Sequence, residues 1–186
     1  MRRVPRLLLL GCTVTLATGC FGHLFYASGP YRGKVVDAET GQPLVGAVVL
    51  AIWYREVPTA PHGPAVDYHD ALEVLTDANG DFEIPAKTHF TPIGKIREPD
   101  FVVYYPGYAV YPSDRARPQG EQVDAAYARR LFRFELSEVK TREEWVRVGD
   151  PTGRTSKVPE SRIPNLVRLV NKQRQDLGLQ PIRLGR

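Results

Sequence analysis

The sequence predicts an all-β sandwich followed by a C-terminal α-helical extension. Three observations lead there. Short runs rich in β-branched and aromatic residues recur along the chain, as in strands that fit a pleated, half-buried surface. Turn signals separate those runs, at Asp37–Gly41, Asn79-Gly80 and Pro106-Gly107. After Ser137 the alternation gives way to the spacing of an amphipathic helix.

The chain opens on Arg2, Arg3 and Arg6 and then runs through an apolar segment from Leu7 to Ala17. A basic start, an apolar middle and small residues before Cys20 describe an export signal over residues 1–19. The apolar run is 11 residues long, whereas a spanning helix needs about 20. Residues 20–30 then read as a tether. Val35 and Val36 lie in a strand, Asp37 caps a turn through its side chain, and Gly41 supplies a positive φ. Residues 46–54 form a buried strand, and 56–69 a long loop. Residues 72–76 alternate weakly. Asn79-Gly80 is the strongest hairpin signal in the chain, with Phe82 and Ile84 facing inward on the return. Residues 85–99 are an irregular insertion. A strand at 101–105, a turn at Pro106-Gly107 and a return over 108–111 follow, and then a polar loop over 112–126. In 131–136, Phe132, Phe134 and Leu136 share one face while Arg133 and Glu135 share the other. Residues 141–148 form a short helix carrying Trp145, and 151–157 a loop. Residues 161–177 form an amphipathic helix with Ser161 as N-cap, Pro164 in its first turn, an apolar stripe of Leu166, Leu169, Val170 and Leu177, and Gly178 as its stop.

Composition narrows the function classes. Three of the four net positive charges sit on Arg2, Arg3 and Arg6, which leaves the mature chain near +1. Nucleic acid is not an expected partner, because binding it calls for a basic patch on the folded domain. The two cysteines are Cys12 and Cys20, so the folded part needs no disulfide.

The chemistry-bearing residues form no convincing active site. Asp77-x-Asn79-x-Asp81 matches the start of a calcium loop, but the glycine and glutamate positions hold Phe82 and Thr88. His62, Asp67, His69 and Asp70 cluster in the first long loop at a spacing that matches no metal motif. No Gly-x-Ser-x-Gly elbow is present. No catalytic residue, metal site or cofactor is therefore expected, and the protein is not expected to be an enzyme. Tyr104, Tyr105, Tyr108 and Tyr111 are the possible ligand surface, since exposed aromatics stack on sugar rings and anchor interfaces.

Two resemblances add to this reading. Leu16-Ala17-Thr18-Gly19-Cys20 resembles a bacterial lipobox, with Leu16 one step further out than the family's leucine. The resemblance implies acylation of Cys20, a lipid anchor and, with Phe21 in place of aspartate, the outer membrane of a Gram-negative cell. Leu9-Leu10-Gly11-Cys12 is the rival site. Its apolar core would be only Leu7 to Leu10, below the roughly 7–15 residues of an export signal.

The second resemblance rests on three separated blocks, 33–49, 76–84 and 106–108. Gly33-Lys-Val-Val-Asp-Ala-Glu-Thr-Gly-Gln-Pro-Leu-Val-Gly-Ala-Val-Val49, Thr76-Asp-Ala-Asn-Gly-Asp-Phe-Glu-Ile84 and Pro106-Gly-Tyr108 are similar to the carboxypeptidase regulatory-like domain. This resemblance covers residues 31–137 and implies a transthyretin-like, seven-stranded Greek-key sandwich. Residues 138–186 lie outside it. The family is mostly non-catalytic. The implied function is a protein-binding or assembly module of the cell envelope, with a protein partner there. Carbohydrate or peptidoglycan binding through the tyrosines is the alternative, and an envelope hydrolase comes third.

Overall fold

The computed structural model describes residues 24–59, 63–113 and 120–182. The expected leader with Cys12, the acylation candidate Cys20 and the metal candidate His62 lie outside the described residues. The described chain is mostly β, with few helices. Its strands are β1 (Phe25–Ser28), β2 (Tyr31–Asp37), β3 (Val48–Val57), β4 (Ala65–Leu75), β5 (Asp81–Ile84), β6 (Lys87–Phe90), β7 (Lys95–Ile96), β8 (Asp100–Tyr104) and β9 (Leu131–Leu136). Helix α1 (Gly120–Arg129) precedes β9, and α2 (Arg142–Val148), α3 (Thr152–Thr155) and α4 (Pro164–Asp176) follow it.

One sheet has the order β5–β2–β9, with β2 and β9 parallel from Arg32↔Leu131 to Asp37↔Leu136. The other centres on β3, with β4 along one side and β8 and the short β7 along the other. A separate ribbon joins β1 to β6.

Strand β3 explains the layering. Successive side chains of a strand point to opposite faces, and both faces of β3 are buried. Val49, Ala51 and Trp53 enter the core between the sheets, beside Val35, Phe82, Phe101, Phe134 and Leu136. Val48, Leu50 and Ile52 face the other way and meet Leu166, Val167 and Val170 of α4. The near-continuous apolar run in β3 is what a strand covered on both sides requires. The C-terminal extension is thus a third layer over the sheet.

Several segments differ from the sequence expectation. The turn at Asn79-Gly80 forms, with Asp77 Oδ1 accepting the N–H groups of Asn79 at 2.8 Å and Asp81 at 2.9 Å. It does not close a hairpin. β4 pairs with β3 and β5 with β2, so the turn is an arch between sheets. Val74 and Phe82 on either side of it both reach the inter-sheet core, which holds the two strands in opposite layers.

The expected loop over 56–69 is strand at both of its ends, because β4 pairs with β3 as far as Val57↔Ala65. Its polar residues at 65–69 lie on a strand that, among the described residues, is paired along one side, where burial imposes little pattern. The insertion over 85–99 contains β6 and β7, and the expected tether contains β1, which pairs with β6. The return over 108–111 is reduced to isolated bridges, Val103↔Tyr111 and Tyr108↔Glu138. The polar loop over 112–126 gives way to α1 from Gly120, and 151–157 contains the single turn α3.

Helix α2 starts as the sequence predicts, with the Thr141 hydroxyl accepting the Glu144 N–H at 3.1 Å and Trp145 buried. Helix α4 does not. Ser161 lies in a 3-10 turn at Glu160–Arg162, and Pro164 opens the helix. The cap comes from another element instead. The Glu73 carboxylate on β4 accepts the N–H groups of Asn165 at 2.6 Å and Leu166 at 3.0 Å. Gly178, at φ +68, terminates the helix as expected.

Candidate binding surface

The four tyrosines do not share one surface. Alternation sends the Tyr104 ring to the α4 side of its sheet, where it is fully buried. Its hydroxyl lies beside the Trp145 indole, and burial pushes its pKa far up. Tyr104 therefore leaves the candidate ligand surface. Tyr105, Tyr108 and Tyr111 are half-buried against the inter-sheet core. Tyr105 and Tyr108 meet edge-on at 5.4 Å, whereas Tyr111 packs on Phe134 at 4.7 Å.

Tyr108 has a structural partner, donating its hydroxyl to Asp37 Oδ2 at 2.9 Å. Burial first, and then that carboxylate, push the Tyr108 pKa up to about 12. The Thr40 backbone N–H and the Tyr108 hydroxyl hold the Asp37 carboxyl below the usual carboxylate range.

The described members of the first-loop cluster, Asp67, His69 and Asp70, each engage a different partner. Asp67 is exposed and lies 3.9 Å from Arg55. Asp70 accepts Lys87 on one oxygen and Arg162 on the other. Among the described residues, no group of three His, Cys, Asp or Glu side chains is placed to hold a metal ion.

His69 instead meets His89, a residue without a sequence signal of its own. The two rings lie 5.2 Å apart, and that of His89 packs 4.8 Å from Trp53. Ser28 Oγ lies 3.2 Å from His89 Nε2. A serine beside a histidine is the arrangement that activates a hydroxyl nucleophile. Here Ser28 and His89 are both buried, which denies them a substrate. The pair instead links the two strands of the β1–β6 ribbon, and the His89 ring on Trp53 fastens that ribbon to the sandwich. Burial pulls the His89 pKa down to about 4, with His69 and Lys87 adding to the effect.

A broad, open concave surface lies on the β5–β2–β9 sheet. It encloses about 760 Å³ and is lined by Arg32, Lys34, Asp81, Glu83, Leu131 and Arg133, among others. Strand register builds it. Glu83, Arg32 and Leu131 form one row across the three strands, and Asp81, Lys34 and Arg133 form another two residues on.

Between the rows sits Gly33. A Cβ there would lie 2.1 Å from the Phe132 carbonyl oxygen and 2.8 Å from the Phe82 ring, so no other residue fits. Arg32 makes a two-pronged pair with Glu83 at 3.0 Å for each bond, and Lys34 meets Asp81 at 2.9 Å. Exposed pairs of this kind contribute little to stability, so a partner's charges can replace them at small cost. Leu131, 61% exposed, and Leu75 add apolar contact.

Only part of this surface carries a sequence signal. The outward facing of Arg133 follows from alternation in β9, but its alignment with Lys34 depends on a pairing that no local pattern encodes. Comparison of the chain with family models, curated proteins and solved structures finds no match.

Proposed function

We propose that this protein is a lipid-anchored component of the cell envelope, held at the outer membrane through Cys20. Its carboxypeptidase regulatory-like, transthyretin-type sandwich serves as a non-catalytic protein-binding module. The observation that carries the binding role is the trough around Gly33. Its cations and carboxylates are interspersed, and exposed leucines lie among them. Such a surface suits a mixed polar and apolar protein segment. It does not suit a polyanion, which would call for a single sign of charge. Address and anchoring rest on the leader and the lipobox-like run before Cys20.

Photo-crosslinking from residue 131 in native membranes tests the binding role. A fixed protein adduct is expected there, weakened by Arg133→Glu and absent from the exposed control position Val146. Equal labelling from 131 and 146 would overturn it. Binding to isolated cell wall that disappears in a Tyr105→Ala, Tyr111→Ala variant would favour the glycan alternative. Mass spectrometry of the mature N-terminus tests the anchor, with an acyl-modified Cys20 as the expected first residue.

A further inference from the structure

The β1–β6 ribbon has two unlike faces. Register pairs Phe25 with Phe90, Tyr26 with His89, Ala27 with Thr88 and Ser28 with Lys87. Tyr26, Ser28 and His89 turn inward, toward Trp53. Phe25, Ala27, Thr88 and Phe90 turn outward, and none of them carries a charge. Phe25 and Phe90 are each 55% exposed, with rings 5.4 Å apart, and Ile93 just beyond is 64% exposed. These are three of the most exposed large apolar side chains among the described residues; two of them touch, and the third follows Phe90 by three residues. Patches of that kind mark contact surfaces.

The position of the patch in the chain identifies its occupant. Phe25 is five residues after Cys20. Even a fully extended chain of that length reaches only about 17 Å. If Cys20 carries the lipid, the patch cannot leave the neighbourhood of the bilayer surface. A lipid on one residue tethers a domain but leaves its orientation free, so a fixed orientation takes a second contact with the surface.

We propose that Phe25, Phe90 and Ile93 form this second contact, settling into the headgroup region of the membrane and fixing how the sandwich faces away from it. The proposal rests on the anchor reading above. In this arrangement the ribbon lies flat on the lipid, and the buried His89 ring packed on Trp53 transmits the constraint to the body of the protein.

The mature chain has no cysteine beyond Cys20, so one introduced thiol gives a single label. The test uses the full, processed protein in phosphatidylethanolamine–phosphatidylglycerol vesicles, with an environment-sensitive fluorophore on Phe90→Cys. The control label is on Leu131→Cys. Spin-labelled lipids should quench the fluorophore at 90 several-fold more strongly than the one at 131. Adding Phe25→Ser and Ile93→Ser should remove the difference while the protein stays on the vesicles.

Equal quenching at 90 and 131, with the acyl mass present on Cys20, overturns the ribbon contact and leaves the anchor standing. Absence of the acyl mass overturns the anchor and the ribbon contact with it. Protection of position 90 in native membranes but not in the vesicles would mean that a protein covers the patch, which also overturns the lipid assignment.

Discussion

Glu73 illustrates how single side chains tie distant parts of this chain together. It sits on β4, yet it satisfies the first free amides of α4. Removing a helix cap costs about 1–2 kcal/mol. Glu73→Ala should lower the unfolding free energy by that amount, read as a lower urea midpoint with an unchanged slope. Glu73→Gln, which keeps one acceptor, should lose less. An unchanged midpoint in Glu73→Ala would show that water replaces the cap.

His89 has a different signature, read in pH. Its folded pKa falls from the ordinary 6.5 to about 4. Above pH 6.5 both folded and unfolded states hold it neutral. Between pH 6.5 and 4 the unfolded chain takes up the proton first, so this contribution to stability falls as pH falls. His69, also lowered by burial, acts in the same direction. The difference in urea midpoint between pH 7 and pH 4.5 should therefore shrink in His89→Gln relative to the parent protein. An undiminished difference would exclude His89 as its source.

At the scale of elements, α4 and β3 depend on each other. Leu166 is fully buried against the outer face of β3, and truncating such a leucine costs about 2–5 kcal/mol. Leu166→Ala should fold with a correspondingly lower stability. A chain ending at Ser137 should do worse, because Val48, Leu50, Ile52 and Tyr104 all lose their cover. It should bind a hydrophobic dye or aggregate, and a soluble, dye-silent product would refute this dependence.

The elements most legible in the sequence are those whose pattern is local. β9 alternates in six residues, and α2 carries its own cap at Thr141. The ones that stayed hidden are short or governed from a distance. β1 and β6 have four residues each, too few for periodicity to speak, and each is a strand only because the other is beside it. The start of α4 depends on Glu73, 92 residues before Asn165 in the chain. The trough is hidden for the same reason, since its two rows exist only once β5, β2 and β9 are aligned.

For the whole molecule, β3 is the shared wall of two cores. Sandwich and extension should therefore unfold together. Trp53 reports on the inter-sheet core and Trp145 on the extension. Single-tryptophan variants, Trp53→Phe and Trp145→Phe, should each show one transition by fluorescence, coincident with that seen by circular dichroism in the same variant. Separate midpoints within either variant would show two independent units. The parallel pairing of β2 with β9 also sets a schedule. Leu131 is made 94 residues after Asp37, on the order of ten seconds later at ordinary synthesis rates. Until then one edge of β2 waits with its row of amides and carbonyls open to any other strand. The opening strand of that sheet is thus among the last to be completed, and whatever escorts the nascent chain must shield that edge for the whole interval.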